Sequence, residues 1–140
     1  MLTDFVQHIA AQTSLTPAVS RAALGIVLNA AERQGSAVAS QIFEKVAGAR
    51  TLAASMGAQV GASTGVIARL IEQTPGGREA VAEQTLRNLQ REGLGHAEIG
   101  ALFPAISSFA ASEFGIRGFG HLGDMFGSPR TATKQVRSVA

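Results

Sequence analysis

The side chains that could do chemistry in this 140-residue chain are few and scattered. Its three histidines are His8, between Gln7 and Ile9, His96, close to Glu98, and His121, in a glycine-rich run with Asp124. A metal site needs several such ligands brought to one face by a fixed spacing, and neither HExxH nor a two-histidine helical repeat occurs. As a general base, a histidine needs a nucleophile or substrate proton within hydrogen-bond reach, and no motif in the sequence places one there. His96 reads as part of a helix start, and His8 and His121 read as solvated. Ser107-Ser108 fall inside a helical stretch without the strand–turn–helix elbow that exposes a nucleophile, so they read as small residues easing helix contact. Glu79 and Glu83 share a helix face with basic neighbours, the pattern of a solvated surface. The chain has no cysteine, which excludes a disulfide framework, a thiolate nucleophile and a cysteine zinc site. The sequence therefore assigns no catalytic residue, no cofactor and no metal, and the chain reads as not an enzyme.

One stretch does invite a site. Between Ser55 and Val66 the chain reads SMGAQVGASTGV, with Gly57, Gly61 and Gly65 four residues apart. A Walker-type phosphate loop needs a lysine after its last glycine, where Val66 stands, and a dinucleotide loop needs a preceding strand that the periodicity does not offer. Two readings remain. In one continuous helix from Arg50 to Gln73 the glycines form a small-residue stripe that permits close backbone contact, at a cost of roughly 1 kcal/mol each against alanine. In the preferred reading they form a hinge between a short helix over Thr51–Met56 and a second over Thr64–Gln73.

The elements that would position these residues follow from composition and period. Hydrophobic residues make up 46% of the chain and charged residues 16%, a globular balance far from that of disorder. Aromatic content is limited to seven Phe, while alanine and glycine are abundant, so a core must be built from small and aliphatic side chains, which suits helices. A formal charge of +2 is too small to imply nucleic acid or anionic lipid. The start MLTDFVQHIAAQ lacks the basic residue and apolar run of a signal peptide, and the uncharged stretch between Arg50 and Arg69 carries too many polar residues and glycines to span a bilayer. The expected location is cytoplasmic.

Thr3 or Asp4 is the expected cap of a first helix with Phe5, Val6, Ile9 and Ala10 inward, and Ser14–Thr16 make the turn. Thr16-Pro17 is a strong start signal: threonine supplies the capping oxygen and proline takes the position whose amide needs no partner. The second helix runs through Ala18, Val19, Ala22, Ala23, Ile26, Val27, Ala30 and Ala31 to Gly35. A third, from Ser36 to near Gly48, turns Val38, Ile42, Phe43, Val46 and Ala47 inward. After the glycine-rich middle, Thr74-Pro75-Gly76-Gly77 is a break. Arg78–Arg91 forms the most charged helix, with Val81, Ala82, Leu86 and Leu89 inward, and Gly93-Leu94-Gly95 ends it. His96–Phe114 is the last strong helix, with Ile99, Leu102, Phe103, Ile106, Phe109 and Ala110 apolar and a kink or break expected at Pro104. The fold expected is all-α, a single compact bundle of about six short helices. It divides into a helical domain over 1–127 (N-terminal helices 3–48, glycine-rich helix or hinge 49–65, C-terminal helices 66–114) and a basic, solvated tail over 128–140.

The hairpin FVQHIAAQTSLTPAVSRAALGIVLNAA, the short helix ending FEKVAGARTLAA, the glycine-rich middle and the closing GLGHAEIGALFPAISSFAASEFG together resemble a bacterial family of unknown function, VcgC/VcgE-like, and more distantly YidB-like proteins. Gly93, Leu94, Phe103, Pro104, Ile106 and Phe109 carry the most specific part of that resemblance. It implies an all-helical domain and brings no activity. The segment HIAAQTSLTPAVSRAAL is also similar to the helix-turn-helix of repressor-type regulators, but Val19-Ser20-Arg21 arrive one residue early after the proline, which turns the reading face by about 100°. The hairpin resembles the first two helices of HU-type proteins as well, whose strand-rich arm has no counterpart here.

Phe103, Phe109, Phe114, Phe119 and Phe126 crowd the last forty positions, more than one helix face can bury, which points to a second copy. The function expected is a non-enzymatic interaction or scaffolding protein that self-associates or binds another protein, with Gly57, Gly61, Gly65, Phe103, Phe109 and Phe114 as candidate interaction residues. The alternative is a DNA-binding protein contacting DNA through Ser20, Arg21, Arg130, Lys134 and Arg137.

Overall fold

A computed structural model describes residues 1–33, 37–60 and 77–115. Among them the chain forms six α-helices and no strand: α1 (Leu2–Thr13), α2 (Pro17–Arg33), α3 (Ala37–Lys45), α4 (Ala49–Gln59), α5 (Gly77–Arg91) and α6 (His96–Phe114). The expected all-α bundle is what the chain adopts. The expected second helix of the glycine-rich middle, the break before Gly77 and the basic tail fall outside the described residues.

Local chemistry sets most boundaries. The α1–α2 turn is closed by Ser14 in the left-handed region (φ 63°), whose amide donates to the Ala10 carbonyl at 2.9 Å. Thr16 then caps α2 as expected, its Oγ1 accepting from the Val19 amide at 3.2 Å, with Pro17 in the first turn. Gly48, at φ 90°, makes the turn into α4. At the end of α5, Gly93 (φ 104°) lets the Leu94 amide return to the Leu89 carbonyl at 3.2 Å, and both leucines are buried. The Glu98 carboxylate reaches back to the Gly95 amide at 2.8 Å to start α6.

Two boundaries differ from the expectation. Thr3 and Asp4 lie within α1 and do not cap it, because the Phe5 amide already bonds to the Met1 carbonyl and the helix is running before either side chain could act. Of the kink or break expected at Pro104, the break does not occur: α6 is one helix from His96 to Phe114 with the proline inside it.

The core is built around α2. Every residue from Ala23 to Ala31 is buried, so the helix is covered on all sides where an amphipathic stripe was expected. The run AALGIVLNA explains why: it is apolar or small all round, and such a helix belongs at the centre of a bundle. Helices α1, α3, α4 and α5 all pack on it, and α6 packs on α1. Phe5 of α1 and Phe109 of α6 stack with ring centroids 4.2 Å apart, and Phe114 meets Phe109 edge-on at 6.0 Å. Arg50 ties three helices together at the surface, its Nη1 2.9 Å from Glu32 Oε2 and its guanidinium 4.6 Å over the Phe43 ring.

Candidate functional site

The seam between α1 and α6 brings His8 and Ser108 together, two residues with no sequence motif in common. His8 Nε2 lies 2.8 Å from Ser108 Oγ, and the ring tilts over Phe109 at 5.6 Å. His8 is half-buried at this seam, and its contact with Ser108 lies at the exposed edge. The pair has the spacing of a nucleophile and its base, but the serine hydroxyl has a second acceptor. Ser108 Oγ also lies 3.1 Å from the Ala105 carbonyl, an acceptor only, which offers the single hydroxyl proton another partner. With the hydroxyl proton placed there, the Nε2-protonated tautomer donates to Ser108; in the Nδ1-protonated tautomer Nε2 accepts from the hydroxyl instead. The backbone N–H donors that stabilise an acyl-transfer oxyanion are also spent inside α6 at this point. The contact links α1 to α6 across their seam.

The glycine stripe resolves differently at its first member. Gly57 lies inside α4, so that helix runs past the expected Thr51–Met56 segment. It is buried against α2, and a Cβ there would overlap the side-chain amide of Asn29. Sequence reasoning missed its counterpart, Gly25, at which a Cβ would stand 2.5 Å from Met56 Cγ and 3.0 Å from Leu52 Cγ. Each helix thus gives up one side chain so that the other can come close. The signal for Gly25 was present: a lone glycine inside an apolar helical run that it would otherwise weaken by about 1 kcal/mol. Gly61 and Gly65 lie outside the described residues. Of the phenylalanines proposed for an interface, Phe103 and Phe109 are buried within the chain and Phe114 is half-buried, while Phe119 and Phe126 lie outside the described residues.

Beyond that close contact, α2 and α4 leave a surface groove of about 500 Å³ between them. Its floor is Leu52 and Met56, both buried. The α4 wall carries Thr51, Ser55 and Gln59, spaced four apart and therefore in one row along the helix, and all exposed. Arg21 stands on the α2 wall, exposed, beside Ala18 and Ala22. On the α2 side the groove is left open by Ala18 and Ala22, whose side chains are too short to fill it. Ala18 and Ala22 were expected to face the core.

The DNA alternative depended on Ser20 and Arg21. Ser20 is fully buried, and its hydroxyl has no hydrogen-bond partner among the described residues, so it offers nothing to a base edge. Arg21 remains at the surface, on the groove side of the exposed first turns of α2. Arg130, Lys134 and Arg137 lie outside the described residues. At the other end of α2, Arg33 is partly buried with its Nε unpartnered among the described residues, and that burial holds its guanidinium below the usual arginine pKa. Among the described residues no group of three or more histidines and carboxylates is arranged to hold a metal ion. None of their helices is long and apolar enough to cross a membrane.

No family model, curated protein or solved structure matches the chain.

Proposed function

We propose that this chain is a non-enzymatic interaction domain, a helical scaffold that engages a partner protein or a second copy of itself. The observation that supports this reading best is the groove between α2 and α4: an apolar floor with polar walls, and no pair of groups set up to move a proton or attack a substrate. Its only charged lining residue is Arg21, and a lone exposed guanidinium beside hydroxyls and an amide recognises but does not transform. Phe103 and Phe109 are buried inside the chain, Phe109 against the Phe5 ring, so self-association rests on the phenylalanine-rich composition of the last forty positions and not on these two rings.

Sedimentation velocity of the full chain from low to high micromolar concentration tests the self-associating form. A sedimentation coefficient that rises with concentration is expected. A constant monomer value removes the second copy and leaves a heterologous partner. Salt-dependent retardation of duplex DNA would instead revive the DNA reading, against which stands the burial of Ser20.

A further inference from the structure

We infer that the α2–α4 groove receives an acidic segment of a partner protein, with Arg21 pairing its carboxylate. This deepens the interaction-domain reading and rests on it. The groove offers three kinds of contact in fixed relation. The Arg21 guanidinium on one wall presents a planar fork of donors matched to a carboxylate. Thr51, Ser55 and Gln59 on the other wall offer hydroxyl and amide groups to a peptide backbone, whose own N–H and C=O groups need partners when they leave water. Leu52 and Met56 between them offer apolar surface to a neighbouring side chain, and Met adapts to varied shapes.

Charge decides the sign of the occupant. Arg50 and Arg87 are each held by a carboxylate of this chain, Glu32 at 2.9 Å and Glu83 at 3.6 Å. Arg21 has no such partner among the described residues, and no acidic residue lines the groove. An incoming carboxylate therefore meets one cation that is unpaired among the described residues, and no like charge in the lining. A nucleic acid strand is a poorer fit, because phosphate tracking needs several cations in series.

Size and openness decide its class. The row from Thr51 to Gln59 runs about 12 Å along α4 at about 1.5 Å per residue, the length of about four extended residues. Most of the lining side chains are exposed, so a free small carboxylate would keep much of its surface in water, whereas sites for small ligands enclose most of theirs. A peptide lying along the groove needs cover on one side only.

The test is a titration of the isotope-labelled full chain, followed by amide chemical shifts, with three blocked pentapeptides that place glutamate, glutamine or lysine between two leucines. Glutarate is the small-molecule arm. The expected result is saturable shifts confined to Arg21, Thr51, Ser55, Gln59 and their neighbours with the glutamate peptide, at least tenfold weaker binding of the glutamine peptide, and none of the lysine peptide. Arg21→Glu, an exposed substitution whose folding is checked by circular dichroism, should lose the glutamate peptide and gain the lysine one. Equal binding of the glutamate and glutamine peptides overturns the proposal. So do shifts elsewhere on the chain, no shifts at millimolar peptide, or glutarate reproducing the peptide's effect at equal concentration. Because sedimentation reads association independently of this groove, a failed titration beside concentration-dependent sedimentation sinks the groove assignment and spares the interaction-domain reading.

Discussion

Gly57 of α4 lies so close to Asn29 of α2 that a Cβ on the glycine would stand 2.9 Å from the asparagine Cγ. Gly25 returns the relationship from α2 to Met56 and Leu52. The two glycines are therefore a matched pair of small residues at one helix crossing, and the cost of a glycine in each helix is offset by the packing they permit.

Replacing either glycine should overpack this crossing. Gly57→Ala and Gly25→Ala are each expected to lose about 1–3 kcal/mol in urea unfolding. Gly100→Ala is the control, since nothing lies within 4 Å of its added Cβ in the middle of α6, and it should gain up to about 1 kcal/mol from helix propensity. Equal effects at all three positions would show that the crossing is looser than described.

The Phe5–Phe109 stack should be the strongest single link between α1 and α6. Either residue truncated to alanine should cost about 3–5 kcal/mol. A double-mutant cycle should leave a coupling of about 0.5–1.5 kcal/mol, the part that belongs to the ring pair. Strict additivity would mean that each ring packs against the rest of the core alone.

Thr16 holds the first turn of α2 through a single hydroxyl. Thr16→Ala should lower stability by about 1 kcal/mol, and Thr16→Ser should leave it nearly unchanged. Because α2 is the helix on which four others pack, the loss should appear as a shift of the whole cooperative transition, with the denaturant slope unaltered.

The His8–Ser108 contact should be inert toward esters. Nitrogen NMR of the imidazole is expected to show the tautomer protonated at Nε2. Activated-ester hydrolysis by the parent and by Ser108→Ala should be equal. A faster parent, or an acyl group trapped on Ser108, would overturn the structural reading of this contact and bring back a nucleophile.

Helix existence and most boundaries were legible in the sequence. Thr16-Pro17, the Gly93-Leu94-Gly95 punctuation and the span His96–Phe114 all act through backbone dihedrals and hydrogen bonds a few residues apart, which a linear reading can see. The same locality explains where the reading stopped. Thr3 and Asp4 have the right chemistry for a cap, yet the backbone bond from Phe5 to Met1 preceded them. Arg21 was singled out, but for a nucleic-acid face, because its partners across the groove lie on another helix.

What the amino-acid sequence determined by itself was an all-helical chain without thiol chemistry or a spaced metal motif. The tertiary structure decided which surfaces meet. It enclosed residues 23–31 of α2, turned Gly57 toward Asn29, absorbed Phe109 against Phe5, and left Arg21 across a groove from a row of hydroxyls and an amide. Those outcomes depend on the shapes of side chains far apart in the chain fitting at close-packed density, a property of pairs of helices that the period of any one helix does not contain.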